Sequence, residues 1–380
     1  MRPPETPPAP ELRTFQREAL SLLRRPGPLH LLCVAPTGSG KSLIYERLAC
    51  EARHRILLIT PLVALARQQC ARLASLGVPL GDRAGPPPES GCWILSPESL
   101  AHPSNIERLR RWKPDLLVVD ECHCLWDWGD GFRPSFNRIP GLVRELGIAR
   151  SLWLTATLPP AARTDLRERL TGPWVEVGSF DLPPSLRLSL IRSPAHERVE
   201  AVLRWISRRE GAGIVFVPTR QKAERIADLL AASGASAAAY HAGLAAEERL
   251  AIESRLSNSS LHIVVATSAF GMGVHIPSLR WAAMWQAPAS LLSLAQAIGR
   301  VGRDPLHPAD AAVFWDDSDF RLTEWMISGS ERRLLDAKAT HELLHEVRCR
   351  RVALRAYFNA GSDPESPPCG HCDVCDLLNR

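Results

Sequence analysis

No apolar run in this 380-residue chain approaches the roughly 20 residues of a membrane span, so no membrane role is expected. No segment repeats at a solenoid period, which argues against a stacked-repeat architecture. The first ten residues, Met1 to Pro10, are rich in proline and have no apolar core. They do not read as a signal peptide, and residues 1–11 are expected to be a disordered lead. Excess charge is small: a net +5 suits a polyanionic partner but is too mild to identify one. Without a secretion signal the expected location is intracellular and reducing, in the cytoplasm or, in a bacterium, at the nucleoid. The ten cysteines then point to core packing or metal rather than disulfides.

What is present supports two sizeable cores. Length alone suggests two domains plus something smaller, and 45% of residues are hydrophobic. Short apolar runs at Ile56–Ile59, Leu116–Val119, Ser151–Leu154, Gly213–Val217 and Ile263–Ala266 alternate with helical stretches. That alternation predicts parallel sheets covered by helices. The turn-rich stretch Gly178 to Pro184 marks a boundary, and composition shifts again near Ser328. Glu331 to Phe358 has helical spacing, with Leu334, Leu335, Leu343, Leu344, Val347, Val352 and Leu354 as apolar points.

Ala35-Pro36-Thr37-Gly38-Ser39-Gly40-Lys41-Ser42 follows the apolar run Leu29–Val34 and precedes a helical stretch from Leu43. Strand, glycine loop, Gly-Lys-Ser and helix is the order that cradles a nucleoside triphosphate. Thr37 to Ser42 would wrap the phosphates with backbone N–H groups, Lys41 would reach the terminal phosphates, and Ser42 would hold Mg²⁺. Ala35 stands where the general pattern has glycine, and a chance surface turn is the alternative.

About 80 residues later Leu116–Val119 runs into Asp120-Glu121-Cys122-His123. A parallel strand ending in two acids sets both at the ligand-binding edge of the sheet. Asp120 would hold Mg²⁺ through water and Glu121 would orient or deprotonate the attacking water. A solvated acidic turn is the alternative. Further on, Gln296 to Asp304 carries Arg300 and Arg303, expected three apart on a helix. If the second half closes on the first, Arg303 becomes an arginine finger and Arg300 a second clamp. On spacing alone, a surface basic pair is the simpler reading. Trp126 to Phe136 crowds aromatics, Arg133 and glycines into one loop, suited to base stacking or to plugging the core.

In order and content these segments resemble the RecQ family of superfamily 2 DNA helicases, over roughly residues 12 to 375. Leu12-Arg13-Thr14-Phe15-Gln16 is similar to the family's adenine-recognition motif, which implies that Gln16 reads adenine with Arg13 beside it. Thr60-Pro61-Leu62 and Ser96 to Leu100 resemble backbone-gripping motifs, and Leu154-Thr155-Ala156-Thr157 resembles the motif that couples hydrolysis to movement. Ser179-Phe180-Asp181, Thr219-Arg220, Tyr240 to Leu244 and Ala266-Thr267-Ser268 through Gly273 follow suit. The resemblance implies DNA contacts by Thr60, Arg220 and Thr267, and a role for His123 and Gln296 in linking the nucleotide pocket to the domain interface. It also implies that Trp128, Phe132, Arg133 and Phe136 form the loop that senses single-stranded DNA. Asp130 and Gly131 replace the family's histidine and aspartate, which would weaken DNA-triggered hydrolysis, and Ile276 stands where a lysine is common.

Cys369, Cys372 and Cys375, each separated from the next by two residues, bring three thiols within reach of one ion. A fourth ligand has to come from elsewhere. The resemblance implies Cys349, expected on the preceding helix, and a Zn²⁺ site of Cys349, Cys369, Cys372 and Cys375. His371 is the rival ligand; a redox pair of Cys372 and Cys375, or free thiols, are the alternatives. Cys33, Cys50, Cys70, Cys92, Cys122 and Cys124 are expected to pack in cores.

The expected fold is α/β: two RecA-like parallel-sheet lobes (residues 12–178 and 179–327), then a small helical zinc-binding subdomain (328–380). The resemblance implies an ATP-dependent 3′→5′ DNA helicase or translocase with Mg²⁺ and Zn²⁺, acting on single-stranded and partly duplex DNA in repair or recombination. Many relatives carry a winged-helix and a further helical domain past the point where this sequence stops. The expectation is therefore weaker unwinding of blunt or forked duplex, with DNA-stimulated ATPase retained. An RNA helicase shares the motor, but the zinc platform and the Trp-rich loop argue against it. A weakly hydrolysing DNA-binding scaffold would keep the lobes, but Lys41, Glu121 and Arg303 argue against that. No protein partner is indicated.

Overall fold

The structure is a computed structural model and describes residues 11–51, 53–81, 87–128, 134–270, 276, 278–304, 306–320, 331–359 and 366–378. Among these residues no helix is long and apolar enough to cross a membrane. The described chain falls into two compact units that divide near residue 180.

In the first unit six strands, β1 (Leu29–Val34), β2 (Arg55–Ile59), β3 (Gly91–Leu95), β4 (Leu116–Val119), β5 (Arg150–Thr155) and β6 (Trp174–Gly178), pair in the order β3-β2-β4-β5-β1-β6. Every pairing is parallel. A parallel sheet covered on both faces needs unbroken apolar strands, and all six residues of β1 and all four of β4 are buried. One face packs against Leu20 and Leu23 of the helix Thr14–Arg24 and Ile44, Tyr45 and Leu48 of the helix Leu43–Ala49. Because the strands are parallel, the segments after β1 and β4 emerge at the same edge.

In the second unit β7 (Leu186–Arg192), β8 (Ala212–Phe216), β9 (Ala237–Tyr240), β10 (Ile263–Ala266), β11 (Leu279–Met284) and β12 (Ala309–Trp315) pair in the order β7-β12-β11-β8-β10-β9. These pairings are parallel too. The core gathers Trp205, Val215, Ile226, Trp281 and Phe314. Gly213 has no side chain because a Cβ there would lie 1.9 Å from the Trp281 ring.

The helices Glu331–His345, Arg350–Phe358 and Asp373–Leu378 belong to this second unit. The expected helical stretch is thus two helices, broken between His345 and Arg350. Leu343, Leu344, Val352 and Leu354 are buried, but Leu334, Leu335 and Val347 are exposed. The join to the sheet is polar. The Asn359 amide accepts from Phe180 N at 2.7 Å and donates to Phe180 O at 2.9 Å, as a neighbouring strand would. The Phe180 and Phe358 rings pack at 4.5 Å. Asp181 accepts from Arg351 Nη1 at 3.0 Å and Arg355 Nε at 2.8 Å. Asp373 accepts from Leu190 N of β7 at 3.2 Å and pairs with Arg350 at 3.1 Å.

Candidate active site and metal centre

Ala35 opens the glycine loop, and its N–H is pinned to Thr155 O of β5 at 3.1 Å. Gly38 and Gly40 sit at φ +76° and +80°, a backbone region that side chains disfavour. The Ser39 hydroxyl between them is buried and has no hydrogen-bond partner among the described residues. A loop with two left-handed glycines and an orphaned hydroxyl fits an anionic ligand, since buried polar atoms are normally paired. Lys41 Nζ donates to Ala35 O at 2.8 Å, folding the ammonium back over the loop. Thr37 is half-buried, and Ser42 leads into the helix Leu43–Ala49 with its carbonyl accepting from Glu46 N at 3.0 Å.

Gln16, expected to read adenine with Arg13 beside it, lies against the glycine loop. It is 2% exposed; its Nε2 donates to Gly40 O at 2.7 Å and its Oε1 accepts from Arg13 N at 2.7 Å. The amide braces the loop and caps its own helix, while the Arg13 residue stays exposed. A Cβ on Gly40 would lie 3.0 Å from Gln16 Nε2, so brace and glycine are matched.

After β4 the acidic turn is fixed by Asp120 N to Ile59 O and Cys122 N to Leu154 O, both 2.9 Å. Glu121 adopts φ +50°, unusual for a residue with a side chain and a mark of local strain. Desolvation first, then the Glu121 charge, push Asp120 up to about 7; Lys41 opposes the shift. His123 is buried, with Nδ1 3.1 Å from Thr155 Oγ1 and 3.3 Å from Glu121 Oε2. Lys41, Asp120, Glu121, His123 and Thr155 therefore meet at one sheet edge. Sequence reasoning missed Gln69, on the helix Val63–Ser75, whose Nε2 donates to Asp120 Oδ2 at 2.7 Å. No sequence signal marks it as a partner 51 residues from Asp120.

Several expectations need correction. The helix carrying Gln296 ends at Ile298, so Arg300 and Arg303 lie in the turn beyond it rather than at helical spacing. Gln296 Nε2 is buried with no hydrogen-bond partner among the described residues. Thr60, an expected DNA contact, is 1% exposed. Phe136 is 0% exposed: it plugs the core instead of offering a face to bases. Phe132, Arg133, Asp130 and Gly131 lie outside the described residues, as does the Trp128 side chain. Arg220 is exposed at the start of its helix, and Thr267 is half-buried. Cys50 is exposed and Cys70 intermediate; Cys33, Cys92, Cys122 and Cys124 are buried as expected.

The four cysteines converge. The sulfurs of Cys349, Cys369, Cys372 and Cys375 all lie within 4.8 Å of one another. Sγ separations are 3.4 Å for Cys372–Cys375 and 3.8 Å for Cys369–Cys375. Tetrahedral Zn²⁺ with thiolates at about 2.3 Å needs about 3.8 Å between sulfurs, so the donor set fits zinc. Cys349 is the residue just before the helix Arg350–Phe358, not on it, and accepts from Cys369 N at 3.2 Å. Burial opposes ionisation of Cys349, but backbone N–H groups of Cys369 and Val352 bring it down to about 7. His371 donates Nδ1 to Cys369 O at 2.6 Å and stays outside the cluster.

Residues 13–166 match the DEAD/DEAH box helicase family, 197–305 the helicase conserved C-terminal domain, and 317–376 the RecQ zinc-binding family. The chain is 32% identical over 367 residues to the ATP-dependent DNA helicase RecQ of Pasteurella multocida, covering 90% of this chain and 57% of that protein. It is 31% identical over 342 residues to the ATP-dependent DNA helicase RecQ of Synechocystis sp., covering 81% of this chain and 70% of that protein. It spans 58% of the Haemophilus influenzae and 64% of the Bacillus subtilis relative of the same name. Among solved structures it is similar to S. cerevisiae Dbp5 bound to RNA and ADP BeF3, with a TM-score of 0.63 and 17% identity over 84% of this chain and 88% of that one. A likeness at that identity speaks to the fold, two RecA-like lobes.

Proposed function

Since the chain belongs to the RecQ family of ATP-dependent DNA helicases, we propose that it hydrolyses ATP to move 3′→5′ along single-stranded DNA and to separate duplex DNA, in repair or recombination. The observation that carries this reading is the meeting of Lys41, Asp120, Glu121 and His123 beside the glycine loop. In this reading the loop N–H groups and Ser39 bind the phosphates, and Lys41 leaves the Ala35 carbonyl for the terminal phosphates. Ser42 and Asp120 hold Mg²⁺, which when bound neutralises phosphate charge. Glu121 positions the attacking water and accepts its proton, steadied through His123 and Thr155. Arg300 and Arg303 supply the positive charge that phosphoryl transfer requires.

Arg220 and Thr267 are proposed DNA contacts, with Trp128, Phe132 and Arg133 as the loop that senses single strands. Contacts of this kind are mostly to phosphate, so DNA affinity falls steeply with salt. The four thiolates hold Zn²⁺, which knits Cys349 to the segment Cys369–Cys375. An enzyme of this kind works in the cytoplasm, at the nucleoid in a bacterium.

The test is ATP turnover by the purified chain alone, with single-stranded DNA, and with RNA of equal length. DNA-stimulated turnover that falls at least about 100-fold in Arg303→Ala supports the reading. Stimulation by RNA alone assigns the motor to RNA. Absence of turnover with every polynucleotide, or full turnover in Arg303→Ala, overturns it.

A further inference from the structure

Away from the nucleotide edge and the four-thiol cluster, the end of β12 carries a second group of metal-ligating side chains. Asp317 begins the short helical turn that follows β12. His341 and His345 are four apart on the helix Glu331–His345 and so share a face. Ligand atoms of all three lie within 4.8 Å of one another.

The hydrogen bonds set up an unusual convergence. His345 Nδ1 donates to His341 O at 2.9 Å, which turns Nε2 toward other partners. Its Nε2 faces Asp317 Oδ1, 3.0 Å away. A proton on Nε2 or a metal ion held by both atoms would join them. The His341 and His345 rings stack at 4.1 Å, inclined 29°. Buried neighbours hold the rings: Trp315 packs on His345 at 4.8 Å and Phe320 on His341 at 4.7 Å. Arg192 pairs with the other Asp317 oxygen, orienting the carboxylate while tempering the attraction for a dication. Asp317 and His345 side chains are 43% and 39% exposed, which leaves an entry path and room for water ligands.

We propose that Asp317, His341 and His345 form a second metal site, taking a borderline divalent transition ion such as Zn²⁺, Ni²⁺ or Co²⁺ through two imidazoles, one carboxylate and water. Imidazole donors select this class over Mg²⁺ and Ca²⁺. The bound ion tethers the helix Glu331–His345 to the end of β12.

Equilibrium dialysis of the full chain against Zn²⁺, followed by metal analysis, tests this. Wild type should bind two equivalents. His345→Ala and Asp317→Asn should each weaken the second by about tenfold or more and leave the first intact, while Cys372→Ser does the reverse. If a variant fails to fold, Co²⁺ titration of wild type still decides. The second equivalent should show ligand-field bands without added thiolate charge transfer. One equivalent in wild type, or a second untouched by His345→Ala with His341→Gln, overturns the proposal and leaves Asp317 and His345 as a proton-bridged ion pair.

Discussion

The strand-to-helix turns after β1 and after β8 solve the same problem in opposite ways. Each leads from a buried parallel strand into a helix. After β1 the chain spends eight residues, Ala35 to Ser42, with two left-handed glycines and the Ser39 hydroxyl unpartnered among the described residues. After β8 it spends three, Val217-Pro218-Thr219, none a glycine, and the Thr219 hydroxyl accepts from Lys222 N at 3.2 Å to cap the helix Arg220–Ala232. The second turn satisfies itself; the first keeps polar groups in reserve. In two sheets of similar build, capacity for an anionic ligand follows from what the turn leaves unpaired.

The sharpest way to break this contrast is at the lysines. Lys41→Ala should lower ATP turnover by at least about 100-fold with the fold retained, because a charge aimed at the transferring phosphoryl is lost. Lys222→Ala, beside the second turn, should leave basal turnover unchanged in the same steady-state assay. Gly40→Ala comes next. Its φ of +80° and the 3.0 Å approach to Gln16 Nε2 should cost about 1–3 kcal/mol in a denaturant titration and weaken nucleotide binding.

Acid separates the units further. Burial alone would raise the Asp181 carboxyl, but hydrogen bonds from Arg355 and the charges of Arg351 and Arg355 hold it below the ordinary carboxylate range. The native value is depressed, so this contribution is present above about pH 4, the ordinary Asp value, and fades as pH falls through the lower native one. Melting curves from pH 6 to pH 3 should show Asp181→Asn already destabilised at pH 6 and less acid-sensitive than wild type. The smallest effect is expected at Thr219→Ala: loss of a cap worth about 1 kcal/mol, with nucleotide affinity unchanged by calorimetry.

Six of the strands, the glycine loop, the acidic turn and the three-thiol run Cys369–Cys375 were legible because each is a local pattern: an apolar run, a turn composition, a spacing; Cys349 came only from the family resemblance. What was not legible is held through space. Gln69 meets Asp120 across 51 residues, and Asp181 meets Arg351 across 170. Gln16 was marked by its motif, yet only packing shows that its amide is spent on Gly40. Thr60 and Phe136 look polar and aromatic on an open loop, and burial alone decides where they face. Arg300 and Arg303 fit a helical period that Ile298 ends.

The Asn359 clasp on Phe180 has a practical meaning for cutting the gene. A fragment of the second lobe that stops near residue 327 would strip Phe180 of its amide partner, Asp181 of both guanidinium groups and Leu190 of the Asp373 carboxylate. Such a truncation would begin with a frayed, charge-bearing leading segment and should be insoluble or readily proteolysed. Expression boundaries for that lobe belong after the last thiol, so that the tail travels with the sheet it fastens.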